Sequence, residues 1–185
     1  MSSASAFDTI NRETLLNVLT TFLTEDDIKL VRFLLSDTKL TINLGNKSKT
    51  IPTIIGTPQG DSLSPVLFVV YLEAALRELR PKIQTQNSVS PFELAYADDV
   101  DFIFPNEEVA KSKIGTISET LKTWNLKVNE SKTEITTVHR ESSSWRTTRK
   151  LGSLLDTRED IARRKTLATV AFNKMFKIWV RRNML

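Results

Sequence analysis

Apolar positions along the chain switch between two periods, and the switches mark the elements. Leu15, Leu16, Val18, Leu19, Phe22 and Leu23 recur at helical spacing and predict a helix over 13–23. Ile28, Leu30, Val31, Leu34 and Leu35 do the same over 25–36, so the two form a helical hairpin. Asp8 and Asn11 stand just ahead of the first helix, where short polar side chains accept from free backbone N–H groups. Residues 38–44 and 49–55 are β-branched and partly alternating, and Gly45-Asn46-Lys47-Ser48 between them predicts a β-hairpin. The stretch 56–65 breaks regular structure. Pro65 then suits the first turn of a helix capped by Ser62 or Ser64, whose nearly all-apolar body, 66–79, predicts burial.

Pro81 is expected to end that helix, and 82–91 reads as a polar loop. Two short apolar runs, 92–97 and 100–104, flank Asp98-Asp99 and predict a second hairpin with an acidic tip. Residues 106–124 read as an amphipathic helix with Val109, Ile114, Ile117, Leu121 and Trp124 inward. Strands are expected over 132–138 and 151–155, with a polar loop over 141–148 between them. A last helix covers 158–182. Helices on one side of a small antiparallel sheet make the chain α+β.

Length and composition narrow this picture. At 185 residues, 40% hydrophobic and 26% charged, the chain suits one globular domain. Absence of cysteine removes disulfides, thiolate metal sites and cysteine nucleophiles, and His139 alone makes no histidine cluster. No run spans a bilayer and no signal peptide opens the chain, so the expectation is an intracellular protein of cytoplasm or nucleus without a membrane partner. The net charge of +4 gathers toward the end, with Arg146, Arg149, Lys150, Arg158, Arg163, Arg164 and Lys165 among the cations. Contact with a phosphate backbone and a solvated helix face are both open readings of that cluster.

The acidic tip carries the candidate chemistry. Paired carboxylates on a rigid hairpin can hold a divalent cation against a triphosphate, although Asp-Asp is also ordinary turn chemistry. The order of motifs favours the first. Gly56-Thr57-Pro58-Gln59-Gly60-Asp61-Ser62-Leu63-Ser64-Pro65 precedes an apolar helix, and Tyr96-Ala97-Asp98-Asp99 follows it. This pair resembles motifs B and C of reverse transcriptases. Ala6-Phe7-Asp8-Thr9-Ile10 resembles the tail of motif A, 126–134 resembles motif D, and Leu151-Gly152 opens a stretch similar to motif E. The flavour is that of non-LTR, LINE-type retrotransposon enzymes, truncated at both ends.

The resemblance implies a palm-like domain over 1–155 without fingers, then a basic amphipathic helix over 156–185 as the start of a thumb or a connection. It implies RNA-directed DNA synthesis by two-metal nucleotidyl transfer, with Mg²⁺ (or Mn²⁺), an RNA template, a DNA primer and deoxynucleoside triphosphates. Asp98 and Asp99 are the implied metal ligands, and Lys132 the lysine that serves the departing pyrophosphate. Phe7, Gln59, Gly60 and Tyr96 are implied at the nucleotide and template, and Leu151 and Gly152 at the primer. Phe7 would crowd a 2′ hydroxyl; a core phenylalanine is the other reading.

One position departs from the family. The motif A aspartate, five residues before Phe7, is Ser2 here, and a neutral hydroxyl does not replace a carboxylate. Asp8 stands about 20 Å further along an extended strand and does not substitute. A catalytically inactive retroelement remnant that binds RNA or DNA therefore stays open beside the active polymerase, as does a start at Met1 that reflects a broken or mis-predicted gene. Oligomeric state is left open.

Overall fold

A computed structural model describes residues 7–36, 38–45, 47–58, 60–84, 92–139 and 141–179. It is α+β, with five α-helices and three antiparallel hairpins among these residues. Contacts divide the chain into two units, 1–134 and 135–185.

The first unit begins with α1 (Arg12–Leu19) and α2 (Glu25–Leu35). Asn11 caps α1 by accepting from the Thr14 N–H at 3.0 Å, as its short polar side chain predicts. The helix stops four residues before the expected Leu23. Thr20 and Thr21 turn their hydroxyls back onto the Asn17 and Val18 carbonyls, at 2.6 and 2.7 Å, and Phe22 lies exposed. Strands β1 (Lys39–Leu44) and β2 (Lys47–Pro52) pair in the register Leu44↔Lys47, so the connection is two residues and β2 starts earlier than expected. Gly45 at φ +58° supplies the left-handed conformation that such a short turn requires.

Helix α3 (Ser64–Ile83) is the centre of the unit. Leu67, Phe68, Tyr71, Leu72, Ala75, Leu76, Leu79 and Ile83 are buried, while Val66 and Val69 on the other side are exposed, so the helix is buried on one face rather than all round. Its N-cap is Leu63, not a serine. The Ser64 hydroxyl instead donates to the Pro58 carbonyl at 2.6 Å, and Asp61 accepts from the Leu63 N–H. Pro81 does not end it either. Proline's fixed φ is itself helical, and burial of Ile83 holds the last turn until the Gln84 N–H closes onto Arg80.

Strands β3 (Phe92–Tyr96) and β4 (Asp99–Ile103) follow, then α4 (Glu107–Thr123), which packs on α3. Asn106 caps α4, Thr120 and Leu121 are buried, and Ile114 is exposed instead of inward. The Tyr71 hydroxyl donates to the Trp124 carbonyl at 2.8 Å, the two rings meet edge to face, and burial raises the phenol's pKa. Among the described residues the three hairpins do not merge into one sheet. The expected strand over 132–138 does not form: Glu130–Lys132 is a 3-10 turn, and 133–139 is irregular.

The second unit carries β5 (Arg149–Lys150), β6 (Ser153–Leu154) and α5 (Thr157–Trp179). The segment 151–155, expected as one strand, is instead a turn and the return strand of a hairpin. Leu151 and Gly152 take φ of +49° and +82°, the pair of left-handed residues that a type I′ connection needs. No helix among the described residues is long and apolar enough to cross a membrane.

Candidate functional site

The acidic tip is built by β3 and β4. Tyr96 pairs with Asp99, so Ala97 and Asp98 form the two-residue turn, and Ala97 takes φ +52°. The aspartates thus occupy different positions: Asp98 in the turn, Asp99 as the first residue of β4. Opposed residues share a face and successive pairs alternate. Glu93, Ala95, Val100 and Phe102 face one way, with Val100 and Phe102 against the core. Tyr96, Asp99, Leu94 and Asp101 face the other way, where Tyr96 and Leu94 are exposed.

Helix α3 anchors this hairpin. Arg80 donates from Nε to Glu93 at 2.9 Å and pairs with Glu73 through Nη1 and Nη2, at 3.0 and 2.7 Å. The Arg80 bonds, assisted by Arg77, hold the Glu73 carboxyl down to about 2. A shallow cleft of about 100 Å³ runs between the two elements, lined by Val69, Leu72, Glu73, Leu76, Ala95 and Ala97.

The first half of α3 receives the 53–64 loop and Phe7. The Phe7 ring packs on Phe68 with centroids 4.7 Å apart. Gly56 donates its N–H to Ile10, and Thr57 to Phe7, at 2.8 and 2.9 Å. Only glycine fits at 56: φ is +74°, and a Cβ would lie 2.8 Å from the Asp8 Cα. Gly60, at φ +90°, is exposed and open. Arg12 ties the loop down. Its Nε donates to the Gly56 carbonyl at 2.7 Å, Nη1 to Leu35 and Thr53 at 2.7 and 2.9 Å, and Nη2 to the Thr38 hydroxyl and Ile55 at 2.9 and 3.3 Å. Burial lowers the pKa of this guanidinium.

The structure therefore places Phe7 and the loop leading to Gly60 at the first half of α3, while the hairpin that carries the Asp98 turn meets the middle of the helix through Ala95 and Ala97 and its last half through Arg80. Tyr96 shares the exposed hairpin face with Asp99. Gln59 and Ser2 lie outside the described residues. Lys132 sits exposed in its own 3-10 turn. Leu151 and Gly152 belong to the second unit, where Arg163 donates to the Gly152 carbonyl at 2.6 Å and Arg164 to the Ser153 hydroxyl at 2.7 Å. Asp160 accepts from the Leu154 N–H at 3.0 Å, and its bond from Arg164, followed by that from Leu154, lowers its pKa.

The sequence itself matches a known family. The sequence profile of reverse transcriptase (RNA-dependent DNA polymerase) matches residues 3–164. The chain belongs to the reverse transcriptase family. No curated protein and no solved structure is detectably similar. Reverse transcriptases act with divalent ions, and the donors at the tip have the right chemistry. Mg²⁺ is commonly held by one or two carboxylates, with phosphate and water completing the shell. Among the described residues no three His, Cys, Asp or Glu side chains are grouped to hold a metal unaided. Asp98 and Asp99 suit an ion that a substrate's phosphates complete.

Sequence reasoning missed Arg12 and the Glu73–Arg80–Glu93 cluster. Arg12 had a signal. A cation in the first turn of a helix opposes the macrodipole, so its presence points to partners elsewhere.

Proposed function

We propose that this reverse transcriptase domain is of the non-LTR retrotransposon type and extends a DNA primer on an RNA template at the Asp98–Asp99 turn. The attachment of the acidic hairpin, Phe7 and the 53–64 loop to one helix, α3, carries the reading. In the reaction the primer 3′ oxygen attacks the α-phosphorus of a deoxynucleoside triphosphate, forming the new ester as the bond to pyrophosphate breaks. Asp98 and Asp99 would hold Mg²⁺ or Mn²⁺, which when bound supplies Lewis-acid stabilisation of the phosphoryl charge.

The remaining roles fall to the chain's own groups. Phe7 crowds the sugar and disfavours a 2′ hydroxyl. Gly60, with no side chain, lets the backbone approach the incoming nucleotide, and by family resemblance Gln59 and Tyr96 serve the nucleotide and template. Lys132 meets the leaving pyrophosphate as a cation or proton donor. In a palm-like domain over 1–155 Leu151 and Gly152 contact the primer, and the basic helix from 156 onward, the start of a thumb or a connection, follows the phosphate backbone.

Ser2 at the motif A position favours a second reading, a remnant that binds nucleic acid without synthesis. Primer extension on an RNA template separates them. Extension by the unmodified chain that Asp98→Ala abolishes supports the polymerase. RNA binding that both proteins share, with no extension by either, supports the remnant.

A further inference from the structure

Arg12 uses every N–H it has. A guanidinium carries five donors, and the five hydrogen bonds described for Arg12 reach Leu35 at the end of α2, Thr38, Thr53, Ile55 and Gly56. One of these contacts is continued. The Gly56 carbonyl that accepts from Arg12 Nε belongs to the same peptide unit as the Thr57 N–H, which donates to the Phe7 carbonyl at 2.9 Å. A peptide unit is planar and stiff, and hydrogen bonds on its two ends polarise each other. Arg12 is thereby coupled to the backbone of Phe7 through one rigid plate. The preceding peptide, Ile55–Gly56, is held in turn by the bond from the Gly56 N–H to Ile10, and Phe68 fixes the face of the Phe7 ring.

We propose that Arg12 is a positioning residue for nucleotide choice: by holding the Gly56–Thr57 peptide it sets the height of the Phe7 ring, and so how strongly the site rejects a ribonucleotide. The inference rests on the proposed function, in which Phe7 stands against the sugar. Lysine at 12 keeps the charge but offers a single nitrogen without the planar fork, so it cannot hold the plate and the ends of α2 and β2 together. The ring then gains freedom, and a small displacement there acts on the choice of sugar more than on the chemical step.

The test is single-nucleotide addition by the full chain, comparing kcat/KM for a deoxynucleotide with that for its ribonucleotide in the unmodified protein, Arg12→Lys and Arg12→Gln. The expected result is a discrimination ratio lowered about tenfold in both variants, carried mainly by KM. A merely structural loss would lower both substrates alike, and an unchanged ratio would overturn the proposal. Hydrogen exchange at the Thr57 amide supplies a readout independent of activity. It should accelerate about tenfold in Arg12→Lys while amides in α3 keep their protection. Unchanged Thr57 protection overturns the inference, as does failure of both variants to fold, which would make Arg12 a fold determinant alone. If the unmodified chain shows no Asp98-dependent synthesis, the polymerase reading has failed, and the coupling is decided by the Thr57 amide.

Discussion

The two units are ordered by different forces. In the first, Tyr71, Ala75, Leu79 and twelve or so further apolar side chains are withdrawn from water around α3. In the second, none of residues 135–139 and 141–176 is buried, and Ile161, Leu167, Val170, Phe172, Met175 and Phe176 along α5 are all exposed. What fixes the Leu151–Gly152 turn there is a set of hydrogen bonds, accepted by Asp160 and donated by Arg163 and Arg164. Apolar burial at about 25 cal/mol per Å² gives the first unit its stability, while solvated ion pairs give the second local geometry. The carboxylate turn, the loop and Phe7 all stand on the unit with the core.

Truncating that core should break the contrast most. Tyr71→Ala is expected to lose about 3–5 kcal/mol in urea unfolding. Tyr71→Phe, which removes only the hydroxyl to Trp124, should lose about 1 kcal/mol. Gly56→Ala comes next, because it adds strain at positive φ to a clash with the Asp8 backbone; a loss of about 2–3 kcal/mol is expected in the same measurement.

Smaller effects sharpen the comparison. Glu73 has a folded pKa of about 2, below its ordinary 4.5, so its pairing with Arg80 stabilises fully above about pH 4.5 and is lost as pH falls toward 2. Both side chains are partly solvated, so the amplitude should be about 1 kcal/mol, and Arg80→Gln should flatten it in acid titrations of stability. In the second unit, Asp160→Ala should speed exchange of the Leu154 amide and leave the urea midpoint of the first unit where it was. Phe172→Ser, at an exposed position of α5, should change stability by under about 0.5 kcal/mol in urea unfolding.

Much of this was legible because it is local. Asn11 and Asn106 announce their caps, and the period of the apolar residues locates α1 to α4. The acidic turn is written in Tyr96-Ala97-Asp98-Asp99 within one residue. What escaped is what depends on partners distant in sequence. Pro81 reads as a terminator until Ile83 is seen to be buried, and 132–138 reads as a strand because a period of two does not report whether a partner strand exists. Ser64 reads as a cap, yet its hydroxyl is taken by Pro58. Arg12 joins residues 23 to 44 positions away, which no window of sequence displays.

The most direct test of the active-site assignment is the rate of single deoxynucleotide addition to a DNA primer on an RNA template, followed against Mg²⁺ concentration. Asp98→Asn would be run beside Asp101→Asn, its neighbour on the same hairpin. Mg²⁺-dependent addition is expected from the unmodified chain, with a loss of about a hundredfold or more in Asp98→Asn and a rate within a few-fold of unmodified in Asp101→Asn. Equal losses in the two variants, or addition indifferent to Asp98, would contradict the assignment.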